Sequence, residues 1–342
     1  MSRAAPRLLR LLSLLALCGW LALAPATAAG GAGHYAERKD VREFIAQMVR
    51  KHGFVAAELR ALFGRARYQA SVIAAITPPP EPRARSWDDY RALFLTPERI
   101  QSGVIFSVKQ RDALALAAAR YGVPEEIIVA IIGVETVYGR NTGSYRVIDA
   151  LTTLAFDYPP RAEFFRGELE NFLLYARDAG IDTLALKGSY AGAIGIPQFM
   201  PGSYRRYAVD FDGDGRQDLS GSYADAIGSV ANFLKAHGWE PGAPVAYAAR
   251  VRGDDYRGLV DSGIKPGYRF GELANFGVSA EGTAPADAPC ALIELGTPQQ
   301  ASEYLVGFNN FYVLTRYNRS SMYAAAVLEL AQAVKAAEPR ER

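Results

Sequence analysis

Between residues 35 and 54 apolar side chains fall at Val41, Phe44, Ile45, Met48 and Val49, the stripe of an amphipathic helix. "AAELRALFGRA" (56–66) continues as a second, short helix. The prolines of "TPPPEPRARS" (77–86) exclude regular structure and predict an extended connector. An aromatic-rich stretch, "WDDYRALFLTPERIQSGVIF", leads into a helix over "SVKQRDALALAAARYG" (107–122). Pro124 then opens another helix from a favoured first-turn position. Residues 162–180 read as an amphipathic helix stopped by Gly180, and 222–239 as another. From Pro241 to about residue 300 the character changes. "APVAYAARV", "CALIEL" and the Gly, Pro and Asp breaks around them predict short strands. "SEYLVGFNNFYVLTRYN" (302–318) follows, and a helix over "SSMYAAAVLELAQAVKAA" (320–337) closes the chain. The pattern predicts a mainly α (α+β) protein with a small β-rich insertion and no internal repeat.

Composition sharpens this picture in three ways. About half of the 342 residues are hydrophobic, enough for a substantial core and one to three domains. Charges nearly balance, 38 Lys and Arg against 36 Asp and Glu, so neither a nucleic-acid partner nor a disordered acidic tail is implied. Finally, Arg3, Arg7 and Arg10 precede the apolar "LLSLLALCGWLAL" (11–23), which is short for a membrane span, and the small residues of "APATAAG". This reads as a secretory signal peptide over 1–28, cleaved after Ala28, so the mature protein is expected to be exported. An uncleaved anchor and lipid attachment at Cys18 are the competing readings, the latter disfavoured by the large Leu17. Cys290 is the only cysteine left after cleavage, so no intrachain disulfide is expected.

Candidate chemistry starts at "IIGVETVYGR" (131–140). Ile127, Ile131 and Glu135 are spaced by four and share a helix face, with Ile128 and Ile132 beside them. A carboxyl in such a wall resists ionisation, and a carboxylic acid protonated near neutral pH is what a general acid needs. A structural ion pair with Arg140 or Arg146 is the alternative. His34, His52 and His237 are scattered and form no HExxH. Ser189 lies in no G-x-S-x-G elbow and has no evident His partner. G-x-G-x-x-G and P-loop motifs are absent. No organic cofactor is implied. Polar and aromatic groups gather in "GSYAGAIGIPQFMPGSY" (188–204), whose glycines permit close approach of the backbone to a ligand. They also gather in "NFYVLTRYNRSSMYA" (310–324) and "WDDY" (87–90). Aromatics with amides suit sugar rings; each stretch alone also suits a packed core.

Taken together and in order, "GVETVYGRNTG", "LKGSYAGAIGIPQFMPGSY", "DFDGDG…DAIGSVANFLKAHGW" and "NNFYVLTRYNRSSMYA" resemble the lytic murein transglycosylase B family, glycoside hydrolase family 103. The resemblance runs from about residue 35 to 335. It implies a lysozyme-like core with a helical domain and a small β-rich domain. The boundaries it implies are a helical α-domain at 35–115 with the C-terminal helix 324–338, a catalytic core at 116–238 with 302–323, and a β-rich domain at 239–301. It also implies cleavage, without water, of the β-1,4 bond between N-acetylmuramic acid and N-acetylglucosamine in peptidoglycan, leaving 1,6-anhydro ends. The family's catalytic Glu falls on Glu135. Its substrate-binding positions fall on Ser189, Gln198, Tyr317 and Asn318, with Tyr323 beyond and Tyr90 as a cleft tyrosine. Arg161 in "PPRAEFF" is placed near the anionic stem peptide. The expected partners are peptidoglycan glycan strands and a cell-wall synthesis complex, with no nucleic acid.

The acidic "DFDGDGRQD" (210–218) matches calcium-loop positions 1, 3, 5 and 6 at Asp210, Asp212, Asp214 and Gly215, with the Arg216 carbonyl at position 7. Position 12 is Gly221 rather than Glu. The family closes a longer loop with an Asp that falls on Asp225, one residue further on here. A structural Ca2+ is therefore expected, against a plain Asp-Gly turn. Two other functions compete with the main one: a hydrolytic muramidase, and a non-catalytic peptidoglycan-binding protein.

Overall fold

The structure is a computed structural model and describes residues 35–77, 86–297 and 300–339. The expected signal peptide over 1–28, Cys18 and most of the proline connector lie outside the described residues. Helices α1 (Lys39–His52), α2 (Ala56–Arg65) and α3 (Ala70–Ile76) open the chain. After the connector come α4 (Trp87–Ala92), α5 (Pro97–Lys109), α6 (Arg111–Tyr121) and α7 (Glu125–Thr136). The short strand β1 (Tyr145–Arg146) precedes α8 (Val147–Asp157) and α9 (Ala162–Asp178); β2 (Lys187–Gly188) pairs back to β1. Helices α10 (Pro201–Tyr207) and α11 (Tyr223–Ala236) lead to the β-rich region.

Most predicted helices are present, and their ends have local causes. Gly53 ends α1 in the left-handed region, while Ser222 caps α11 by accepting from the Asp225 N–H. The sequence pattern did not indicate α8. All of Val147–Phe156 is buried, including Asp149, Thr152 and Thr153, so the helix has no polar face to reveal its period. Asp149 is tolerated there because it pairs with Arg146 at 2.7 Å and accepts from the Arg67 N–H.

The insertion is a five-stranded antiparallel sheet formed by β3 (Ala246–Val251), β4 (Tyr268–Arg269), β5 (Val278–Ala280), β6 (Pro289–Leu295) and β7 (Glu303–Gly307), in the order β4-β6-β7-β3-β5. A short helix α12 (Arg257–Asp261) lies within it. The sheet includes β7, so it reaches past residue 301, where the β-rich region was expected to stop, and takes in 303–307 from the stretch expected in the catalytic core. Alternation along β6 explains how the sheet is seated. Ala291, Ile293 and Leu295 enter the large helical core, whereas Cys290 and Leu292 face a second, small core with Leu259, Leu273, Val278, Val306 and Phe308. Cys290 is buried and unpaired, and burial pushes its thiol up to about 11. Helices α13 (Asn309–Tyr317) and α14 (Ser321–Ala337) return the chain to the large core, where α14 packs along α7 and α5. Among the described residues no helix is long and apolar enough to cross a membrane.

Candidate active site

Helix α7 is apolar all round, with every residue from Ile127 to Gly133 buried, so it runs through the interior rather than along the surface. Glu135 sits in its last turn, half-buried, where the helix emerges from the core. The helix stops abruptly. Val137 and Tyr138 both adopt left-handed backbone angles, φ 52° and 60°, which are unfavourable for a β-branched and a bulky residue. Packing compensates. The Tyr138 ring is wedged between Gly103 of α5 and Gly133 of α7, at each of which a Cβ would lie 2.6 Å from its hydroxyl oxygen. Arg99 donates to the Gly133 carbonyl beside it.

Thr136 fastens this corner to the 188–204 loop. Its hydroxyl donates to the Ile196 carbonyl at 2.8 Å and accepts from the Gly139 N–H at 3.0 Å. Within the loop, Ser189 Oγ accepts from the Ala193 N–H, and the Gln198 amide donates to the carbonyls of Thr142 and Gly195. Thr142 thus anchors Gln198, and its neighbour Gly143 packs so closely on Ser189 that an added Cβ would lie 2.5 Å from the Ser189 nitrogen. Protein atoms pack closely against several of the loop's glycines. A Cβ at Gly188 would meet the Ala193 carbonyl oxygen at 2.2 Å, and one at Gly195 the Leu219 carbonyl oxygen at 2.5 Å.

The carboxyl of Glu135 meets the C-terminal helices. The Tyr323 hydroxyl, in the first turn of α14, donates to Glu135 Oε1 at 2.6 Å. Tyr317 stacks on Tyr323, with ring planes 11° apart and centroids 6.3 Å apart, and donates to the Pro197 carbonyl at 2.6 Å. Burial raises the Glu135 carboxyl to about 7, and the Tyr323 hydrogen bond, which favours the ionised form, opposes it. Burial and then the Glu135 charge push both tyrosines well above the ordinary 10, so they remain neutral donors. The alternative of an ion pair does not hold. Arg146 is engaged by Asp149, and Arg140 bonds Val137 and Ser102.

The remaining candidates lie at different distances from this centre. Tyr90 in α4 stacks on Trp87, contacts Phe94 and acts electrostatically on Tyr323. Asn318 is exposed at the end of α13, in the turn that leads to Tyr323. Arg161 is not brought to the group. Its guanidinium lies over Phe164 and Phe165, 4.4 and 5.1 Å from the ring centroids, at the start of α9. Sequence reasoning missed Thr136, Arg99 and Gly103, whose roles depend on partners about 35 to 60 residues away.

In the acidic loop, Asp210, Asp212 and Asp214 are exposed and their ligand atoms lie within 4.8 Å of one another. Backbone N–H groups of Gly213 and Gly215 bond Asp210, that of Asp214 bonds Asp212, and that of Arg216 bonds Asp214. Three hard oxygen donors this close together fit part of the six to eight oxygen ligands that Ca2+ takes. Asp225, expected as the closing ligand, stands apart from the three. It is buried, and its two oxygens accept from the N–H groups of Phe211, Asp212 and Asp218, so it organises the loop from behind.

Comparison with known proteins identifies the family. A family model, the transglycosylase SLT domain, matches residues 36–332. The chain is 45% identical over 313 residues to the membrane-bound lytic murein transglycosylase B of Escherichia coli K12, covering 88% of this chain and 84% of that protein. The structure of the Escherichia coli lytic transglycosylase Slt35 in complex with calcium superposes with a TM-score of 0.79 at 43% identity, covering 90% of this chain and 96% of that one. SltB3 from Pseudomonas aeruginosa, solved with NAG-anhNAM-pentapeptide, superposes with a TM-score of 0.76 at 32% identity, covering 89% and 82%. The lysozyme-like fold and the family resemblance read from the sequence are both borne out, and the chain belongs to the transglycosylase SLT domain family.

Proposed function

We propose that this protein is an exported peptidoglycan lytic transglycosylase acting in the periplasm, with Glu135 as the single acid and then base. The observation that carries the reading is one carboxyl, raised to about 7 by burial and held by the Tyr323 hydroxyl at 2.6 Å. The carboxyl's hydrogen-bond partner is a neutral tyrosine rather than a second acid. A retaining or inverting glycosidase needs two carboxyl groups flanking the bond, whereas a lytic reaction needs one. Protonated Glu135 gives its proton to the glycosidic oxygen as the bond breaks, and the substrate's own N-acetyl group stabilises the cationic carbon. The carboxylate then takes the proton of the C6 hydroxyl as that oxygen attacks C1. The attack is intramolecular, so little translational entropy is lost. Proton in and proton out balance, and no water is consumed. Tyr323 fixes the carboxyl's orientation through both steps. Tyr317, Gln198, Ser189, Asn318 and Tyr90 line the region in which the sugar rings are held, and Arg161 has no assigned contact with the glycan.

Asp210, Asp212 and Asp214, with the Arg216 carbonyl, would hold a structural Ca2+, Asp225 shaping the loop that presents them. That ion supplies stability rather than chemistry, in a protein whose described cysteine is unpaired. The partner is the glycan strand, and a synthesis complex is the expected context. The test is mass analysis of muropeptides released from purified peptidoglycan by the mature protein and by Glu135→Gln. Products lighter by one water than hydrolysis products, lost in the variant, support the proposal. Water-added products would instead make the protein a muramidase, and binding without any product would make it a non-catalytic wall-binding protein.

A further inference from the structure

Tyr317 is the last residue of α13, and its ring sits where three other elements meet. Phe233 of α11 lies against it at a steep angle, with centroids 4.9 Å apart and planes at 63°. Phe199 of the 188–204 loop lies 5.8 Å away. Tyr323 of α14 stacks nearly parallel to it. A ring held in this way can still slide within its own plane. The hydroxyl stops that by donating to the Pro197 carbonyl at 2.6 Å.

The anchor point is itself rigid. Pro197 stands in a tight turn across which Ile194 and Phe199 exchange both backbone hydrogen bonds, at 2.8 and 3.1 Å. Gln198, the next residue, is held at φ 51°, an uncommon angle for a residue other than glycine. Such backbone persists where its surroundings over-determine it. Here the Gln198 amide bonds the Thr142 and Gly195 carbonyls on one side, and Tyr317 grips Pro197 on the other. From this fixed turn the contacts run in one line. Pro197 holds the Tyr317 hydroxyl, the Tyr317 ring faces the Tyr323 ring, and the Tyr323 hydroxyl holds Glu135 at 2.6 Å. A phenol has one proton to donate, and that of Tyr317 goes to Pro197, so none is left for a sugar.

We propose that Tyr317 is a positioning residue for the proton donor: anchored on Pro197, it holds the Tyr323 ring in the attitude that keeps the Glu135 carboxyl aimed, and it donates no hydrogen bond to the glycan. This role rests on the lytic reading above, because it takes Glu135 as the acid. An effect exerted through Tyr323 cannot exceed the loss of the Tyr323 hydroxyl, and it must vanish once that hydroxyl is gone.

The experiment measures kcat, KM and product mass on purified peptidoglycan for wild type, Tyr317→Leu, Tyr317→Phe, Tyr323→Phe and the two double variants. Tyr317→Leu removes both the stack and the anchor. Tyr317→Phe keeps the stack, loses only the anchor, and keeps the test open should the leucine variant fail to fold. The expected fall in kcat is about fivefold for Tyr317→Leu and about threefold for Tyr317→Phe, with KM within about twofold of wild type. In the Tyr323→Phe background neither substitution should lower kcat further. Equal falls in both backgrounds would overturn the proposal, since Tyr317 would then act independently of Tyr323. A raised KM at unchanged kcat would overturn it in favour of a glycan ligand, and a lower melting temperature with kcat unmoved would leave Tyr317 a structural tie. Product mass tests the lytic reading separately. Water-added products would overturn that reading while the coupling still decides the role of Tyr317, and the absence of any product would overturn both.

Discussion

Glu135 is one carboxyl at the end of an apolar helix, touched by one hydroxyl; Asp210, Asp212 and Asp214 are three carboxylates gathered at the surface and bonded by backbone N–H groups. The first site takes away water and offers little in return, so its group prefers to be neutral. The second leaves water in place and concentrates negative charge, an arrangement that favours a divalent cation. The same functional group becomes a proton donor in one setting and a ligand in the other, and burial decides which. The difference can be broken experimentally at either end.

The largest effects are expected at Glu135 itself. Glu135→Gln should lower turnover by on the order of a thousandfold, the scale of general acid catalysis. It should also stabilise the fold. The folded carboxyl titrates at about 7 against an ordinary 4.5, so the cost of burying the charge is absent below 4.5 and grows as pH rises through that window. Above it the cost is roughly 3 kcal/mol. Urea unfolding at pH 8 should therefore show the variant more stable by up to that amount, with the gain vanishing near pH 4. Equal stability of the two proteins at pH 8 would mean that the carboxylate is not strained.

The acidic loop should behave oppositely. Adding Ca2+ to a hundredfold excess over its dissociation constant should raise the unfolding free energy by about 3 kcal/mol, and Asp212→Asn should remove most of that dependence without changing turnover in saturating Ca2+ by more than about twofold. A melting curve indifferent to a chelator would show the three aspartates to be only a turn.

Thr136 links the corner of α7 to the 188–204 loop. Thr136→Val keeps the shape but leaves the Ile196 carbonyl and the Gly139 N–H without their partner, which should cost about 2 kcal/mol. Guanidinium titration would measure it; a change within a few tenths would remove Thr136 from this role. Smallest is Tyr323→Phe. Losing one hydrogen bond to the carboxylate should reduce kcat about tenfold and move the alkaline limb upward, since that bond favours the ionised form. A downward move would contradict the assignment.

Much of this was legible in the sequence, and the gaps follow from physics. The stripes at 39–52, 162–178 and 223–236 have one wet face and one dry face, so their period shows. Helix α8 has no wet face and gave no signal. Glu135 stood out because a charge in an apolar run is an anomaly, and Tyr317 and Tyr323 because they accompany the family motif. Thr136 lies inside that motif but its partner is 60 residues away, and Tyr317 finds the Pro197 carbonyl 120 residues away; such pairings exist only after folding. The loop glycines follow the same logic. A glycine announces close approach, and only the structure shows that the carbonyls of Leu219 and Ala193 approach Gly195 and Gly188. Asp225 and Arg161 were placed by family analogy, and their contacts here, with loop N–H groups and with Phe164 and Phe165, appear only in the structure.

The account depends most on the ionisation of Glu135. Titration of its side-chain carboxyl carbon by 13C NMR, assigned by comparison with Glu135→Gln, measures this directly. A midpoint near 7, well above the protein's surface glutamates, is the predicted result. A midpoint at or below 4.5 would mean that the group is ionised at neutral pH and cannot be the proton donor, and the proposed mechanism would fall with it.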